Sequence, residues 1–170
     1  MLHINISHKS IVIKNVSLDS LKDIVECINS DESNLEAIGI NKKIDLGFIK
    51  ERYMESLVNP LEFFCGIYQD FKMVGIIKGR VEKKSIHEAW FMTFILKYEL
   101  RNKGLGTYIL GLVEDYLKTM YSIQRFCVVV SEENKGSKNF WLKNGYTIER
   151  VSNYFKLKDR PVNILVKGAK

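Results

Sequence analysis

Two prolines in 170 residues leave no material for a proline-rich linker, and the eleven glycines form no repeat or low-complexity tract. Cysteine is just as scarce. Cys27, Cys65 and Cys127 are odd in number, far apart and without a CxxC pair, which argues against a disulfide framework and reads as three buried small hydrophobes. His3, His8 and His87 complete no zinc spacing with them, so no metal is expected. No apolar run approaches the roughly 18 residues a membrane helix needs; the longest, residues 89–96, already contains Thr93. The opening MLHINISHKS lacks the charged start and long apolar stretch of a secretory signal. By elimination the expectation is a cytoplasmic protein with no membrane partner.

What is present is ordinary for a folded chain: 46% hydrophobic and 27% charged residues, with 26 Lys+Arg against 20 Asp+Glu for a net charge of +6. The length suits one domain spanning residues 1–170 and is enough to bury a core. Acids are interspersed among the lysines and no continuous basic face is evident, so nucleic acid is not expected as a partner.

Periodicity supplies the elements. Residues 11–16, IVIKNV, read as a strand, and Ser17 then caps a helix whose apolar face is Leu18, Leu21, Ile24, Val25 and Ile28. A weaker helix fits residues 43–57 and ends before Pro60. Residues 61–68 and 72–82 form a hairpin about Gln69, Asp70 and Phe71, and residues 88–96 (EAWFMTFIL) suit a central strand. Helical spacing returns over 104–120, strand over 125–130, and a short helix over 137–144 closes on Gly145, where a left-handed cap glycine belongs. Strand candidates follow at 148–151, 154–157 and 162–166. The order predicts a mixed α/β (α+β) domain in which an antiparallel meander enters a βαβ unit.

The sharpest local feature is Arg101-Asn102-Lys103-Gly104-Leu105-Gly106, between the central strand and the long helix. Two glycines allow a tight turn and a close approach of backbone to ligand. Unpaired N–H groups at the helix start, its dipole, and the charges of Arg101 and Lys103 together suit a phosphate or pyrophosphate. A bare GxG also fits an ordinary strand-to-helix turn. The Walker pattern is missing its lysine, and Gly104, Gly106 and Gly111 do not have the spacing of a dinucleotide fingerprint.

This segment resembles the acyl-CoA signature Arg/Gln-x-x-Gly-x-Gly/Ala of the GCN5-related N-acetyltransferase (GNAT) superfamily. A second block, Asn134-Lys135-Gly136-Ser137-Lys138-Asn139-Phe140-Trp141-Leu142-Lys143-Asn144-Gly145-Tyr146, is similar to the superfamily's Asn-x-x-Ala-x-x-Phe-Tyr followed by Gly-Phe. The resemblance covers nearly the whole chain. It implies a mostly antiparallel sheet of six to seven strands, splayed between the fourth and fifth and flanked by about four helices. It also implies acetyl-CoA as cofactor, with its pyrophosphate on the amides from Arg101 to Gly106. Its pantetheine arm would lie along backbone groups of Phe94, Leu96 and Lys97, with Asn134 bonded to the arm and the Leu96 amide aimed at the thioester carbonyl. Trp141 departs from the usual tyrosine acid, because an indole can donate but has no ionisable hydroxyl. Tyr146 and Tyr108 are the substitutes considered.

Acyl transfer to an amine needs a neutral nucleophile, hence a nearby base. Glu88 leads because it opens the central strand; its plainer reading is a solvated strand-end carboxylate. His87, Glu132 and Glu133 stand behind it. Phe63, Phe64, Trp90, Phe91 and Phe94 line an acceptor pocket or pack the core. Asp19, Asp23, Glu26 and Asp31 attract a cationic amine or solvate a helix. The basic tail KLKDRPVNILVKGAK is either a strand pairing across a homodimer or an exposed, lysine-guarded edge. The implied function is transfer of acetyl from acetyl-CoA to a primary amine of a small molecule or protein. The alternative is an acyl-CoA-binding or sensing protein that has lost turnover.

Overall fold

The computed structural model describes residues 1–157 and 160–169. The chain opens with two short strands, β1 (Asn5–His8) and β2 (Ile11–Asn15). Three helices follow: α1 (Leu21–Asn29), α2 (Glu32–Ala37) and α3 (Leu46–Val58). Next come β3 (Glu62–Gln69), β4 (Lys72–Lys83) and β5 (His87–Leu96), then α4 (Leu105–Tyr121), β6 (Arg125–Ser131), α5 (Lys135–Lys143), β7 (Thr147–Leu157) and β8 (Arg160–Gly168). The strands form one sheet in the order β1-β2-β3-β4-β5-β6-β8-β7, antiparallel except where β5 meets β6. That parallel pair is joined through α4, the expected βαβ unit.

Local chemistry sets most boundaries. Asp45 caps α3 by accepting from the Phe48 N–H at 2.8 Å, and Asn59, held extended before Pro60, ends it. Asp70 and Phe71 both take positive φ, 49° and 65°, so β3 and β4 join through a two-residue turn whose twist matches the strands. Gly145, at φ +85°, is the left-handed residue just beyond α5.

Two apolar layers clasp the sheet. On one face α1 and α3 bury Leu21, Ile24, Ile28 and Ile49 against Phe64, Ile76 and Ile95. On the other, Ile109, Leu110, Val113 and Leu117 of α4 and Trp141 of α5 cover Ile13, Phe63, Phe91 and Phe126. Each such side chain contributes about 1.5–3 kcal/mol on burial. The three cysteines are free and buried, as read from their spacing. Burial pushes the Cys27 thiol up to about 11 and Cys127 up to about 12, with Cys65 raised further still. No described helix is long and apolar enough to cross a membrane.

Three expectations change. The sheet has eight strands among the described residues rather than six or seven, because the polar-looking Asn5–His8 pairs with β2. A fifth helix, α2, forms where no periodicity marked one; Asp31 nucleates it by accepting from the Ser33 N–H at 3.0 Å. From Arg160 to Gly168 the basic tail is not an edge, and its residues 158, 159 and 170 lie outside the described residues. β8 lies between β6 and β7, with Val162, Ile164 and Leu165 buried, and β7 takes the outer position.

β5 and β6 pair only from Glu88↔Arg125 to Phe91↔Val128. Beyond that point each continues with its outer neighbour, β5 along β4 to Leu96↔Gly75 and β6 along β8 to Ser131↔Val162. The register between β4 and β5 skips Met92, a bulge at the point of divergence. The sheet therefore opens into a V between its fifth and sixth strands, which are the fourth and fifth of the expected count because β1 is additional.

Candidate active site

The V forms a cleft floored by Phe91, Phe94, Val128 and Trp141, with Asn134 and Ser137 of the α5 start on one side and Glu36 of α2 on another. Strand register fixes which backbone groups look into it. The Lys97 N–H donates to the Val74 carbonyl at 2.9 Å, so Lys97 faces β4. Antiparallel pairing alternates, and the amides of Leu96 and Phe94 therefore point away from β4 into the opening. Of the three backbone positions named for the pantetheine arm, Phe94 and Leu96 are the two whose N–H groups face the opening. Lys97 is not one of them, because its N–H is already used within the sheet.

The loop after β5 turns through Asn102 at φ 58° and Gly104 at φ +79° before α4 begins. Among the described residues, the N–H groups of Asn102, Lys103, Gly104, Leu105, Gly106 and Thr107 have no backbone acceptor; the first helical bond runs from Tyr108 to the Gly104 carbonyl at 3.0 Å. No side chain caps α4. A row of free donors at the positive end of a 17-residue helix is a seat for an anion. Lys103 stands exposed beside it.

Arg101 is placed otherwise than its motif suggests. Its N–H donates to the Tyr98 carbonyl, and its guanidinium turns back under the loop. Nε donates to the Leu96 carbonyl at 3.0 Å, Nη1 to Ser33 Oγ at 2.7 Å, and Nη2 to Asn34 Oδ1. Asp31 lies 3.6 Å from the same group. Buried Asn34 passes the connection on to the Cys27 carbonyl at 3.1 Å. The charge expected to meet a phosphate instead ties the end of β5 to α2.

Trp141 is buried at 4% exposure in an aromatic stack, 5.6 Å from Phe91 and 4.9 Å from Tyr146 between ring centres, and its indole N–H donates to no described residue. Neither tyrosine considered as a substitute acid is available. The Tyr146 hydroxyl donates to Glu114 Oε1 at 2.7 Å beneath Trp141, and burial together with that carboxylate raises it far above the ordinary phenol. The Tyr108 hydroxyl is bonded to His8 Nδ1 at the tip of β1. Asn134 caps α5, its Oδ1 accepting from the Ser137 N–H at 2.9 Å, which leaves its side-chain amide toward the cleft.

Glu88 does not sit at the mouth. It lies at the closed end of the V, where Oε2 accepts from the Trp90 indole at 3.2 Å and Oε1 lies 3.4 Å from Arg125 Nε. Eight residues separate it from Leu96, about 26 Å along a strand. The plainer reading, a strand-end carboxylate, is the one the geometry gives. Glu132 is engaged by Lys138 at 2.7 Å and by Asn163. Phe63 and Phe64 are core, whereas Phe91 and Phe94 line the cleft. The side chain missed by sequence reasoning is Glu36, whose helix no periodicity marked.

The family model described as "Acetyltransferase (GNAT) domain" matches residues 13–165. No curated protein sequence matches the chain. Among solved structures, an acetyltransferase from Salmonella typhimurium that modifies the N-terminal serine of ribosomal protein L7/L12 superposes with a TM-score of 0.83 at 12% identity, covering 95% of this chain and 96% of that one. A spermidine N-acetyltransferase from Vibrio cholerae, in complex with CoA and spermine, gives 0.79 at 15% identity over 95% and 97%. The microcin C7 self-immunity acetyltransferase MccE, in complex with acetyl-CoA and AMP, gives 0.79 at 18% over 95% and 93%. At these identities the likeness is one of fold.

Proposed function

Since the chain belongs to the GNAT acetyltransferase family, we propose that it moves an acetyl group from acetyl-CoA to a primary amine of a small molecule or protein, directly, with both substrates held at once. The observation that carries this reading is the continuity of the opened strand pair with the amide-lined start of α4. One end offers free donors to a pyrophosphate, and the other offers strand amides to a peptide-like arm. The residues present fit the cofactor.

Acetyl-CoA, when bound, supplies an acetyl group already activated as a thioester. The chain's part is to bind and orient. N–H groups from Asn102 to Thr107 would donate to phosphate oxygens, Phe94 would offer its backbone to the arm, and the Asn134 amide would offer a second hydrogen bond. The Leu96 N–H is the donor for charge developing on the carbonyl oxygen, and such donors are worth about 3 kcal/mol. Arg101 holds the Leu96 carbonyl, in the peptide unit that follows the donor amide, at 3.0 Å and so steadies the end of β5. Trp141 closes the floor against water. With Tyr146 and Tyr108 both engaged, neither would protonate the departing thiolate, and the proton given up by the amine nitrogen would reach it through solvent. A thiol pKa near 8.5 makes that sufficient near neutral pH.

The neighbouring structures act on a protein N-terminus and on spermidine, and the test spans both chemistries. Thiol release is followed with acetyl-CoA and a panel of N-terminal peptides, lysine peptides and polyamines, alongside calorimetric titration of acetyl-CoA. Saturable binding with thiol release for at least one amine is expected. Failure to bind at millimolar acetyl-CoA overturns the reading; binding without thiol release for any amine favours an acyl-CoA-binding protein instead.

A further inference from the structure

Of the thirteen residues lining the cleft, Glu36 is the only one with a charged side chain. It is exposed, and its carboxylate has no ion pair or hydrogen bond among the described residues. The acids around it are already committed: Asp31 to the α2 cap and Arg101, and Glu132 to Lys138 and Asn163. Its position is not left to a loose loop. Arg101 grips Ser33 and Asn34, within one turn of Glu36, with the same guanidinium that holds the Leu96 carbonyl. Beside it the wall is apolar: Met92, 52% exposed at the bulge, with Val129 and Val130 across the opening.

A carboxylate paired with the reacting nitrogen would stabilise its ammonium form and so oppose attack. The same carboxylate a short distance away attracts a cation without that penalty. Resting on the acetyltransfer reading above, we propose that Glu36 selects acceptors with a second positive charge a few methylenes from the reacting amine, the class of aliphatic diamines and polyamines. Met92 and Val129 would flank the methylenes, and Glu36 would hold the distal ammonium.

The test compares 1,4-diaminobutane with 1-aminobutane as acceptors for the wild type, E36Q and E36D. It adds calorimetric titration of 1,4-diaminobutane into the complex of each protein with CoA. The wild type is expected to favour the diamine by about 2–5-fold in kcat/KM, the range of one solvent-exposed ion pair, with the margin shrinking as salt is added. E36Q should raise KM for the diamine by that factor and weaken its calorimetric binding equally. KM for 1-aminobutane and for acetyl-CoA should not change, and E36D should restore part of the preference. An E36Q protein with an unaltered diamine preference overturns the inference, as does an equal loss of kcat on both amines, or a wild type that acetylates peptides but neither butylamine. Absence of acetyl-CoA binding, measured separately, would strike the underlying reading and not Glu36 alone.

Discussion

At the start of α4, Gly104 holds φ +79° in open space, whereas a methyl group on Gly106 would press on Phe140 at 3.1 Å. Gly104→Ala is therefore expected to cost about 1 kcal/mol of backbone strain in denaturant unfolding and to weaken acetyl-CoA binding by turning the loop amides. Gly106→Ala has no such backbone strain and meets only the Phe140 ring edge, so its stability change should stay within about 1 kcal/mol. A deeper residue makes the opposite test. Tyr146 and Lys167 both donate to buried Glu114, at 2.7 and 2.5 Å. Tyr146→Phe removes one donor from a carboxylate that keeps the other, so stability should fall by about 1–3 kcal/mol while kcat is unchanged. A collapse of kcat with intact folding would return Tyr146 to the chemistry.

The elements that hold the site depend on single side chains at their ends. Asn134→Ala removes the α5 cap at a cost of about 1 kcal/mol and also removes the amide facing the cleft, so KM for acetyl-CoA should rise with it. Arg101→Lys tests the clamp: lysine cannot reach Leu96, Ser33 and Asn34 together, because it lacks the planar fork. We expect KM for acetyl-CoA to rise and kcat to fall by an order of magnitude or more as the end of β5 loses its tie to α2, both read from steady-state thiol release. The signature loop, α4, α5 and the meander were legible in the sequence because glycine placement and 3.6- or 2-residue periodicity are local properties. The direction of Arg101 was not. Its partners lie 67 and 68 positions away on a helix nucleated by one aspartate. Glu88 and Lys97 were misplaced for a related reason: a strand's text does not say where its neighbour leaves it, and that register decides which residues face the gap.

Over the whole molecule, the three thiols couple stability to pH. In the unfolded chain they ionise near 8.5–9, whereas burial holds Cys27 at about 11 and Cys127 at about 12, with Cys65 higher. Their raised values contribute stability that is fully present below pH 8.5, begins to be lost near pH 9, and continues to be lost as pH rises toward 11 and 12. Each thiol contributes a slope of up to about 1.4 kcal/mol per pH unit in that window. Urea midpoints from pH 7 to 10.5 should be flat at first and then fall, and Cys127→Ala should shallow the decline; a flat profile to pH 10.5 would contradict the burial. The V has a mechanical consequence as well. Four paired positions, pinned where Arg125 lies 3.4 Å from Glu88 and bonds Glu149 at 2.6 Å, act as a fulcrum, with lips that run on five residues to Leu96. A lever arm of about 17 Å converts a pivot of about 5° into roughly 1.5 Å of travel at the lip. A charge swap at Arg125, at the closed end of the V, should therefore alter how wide the jaws stand.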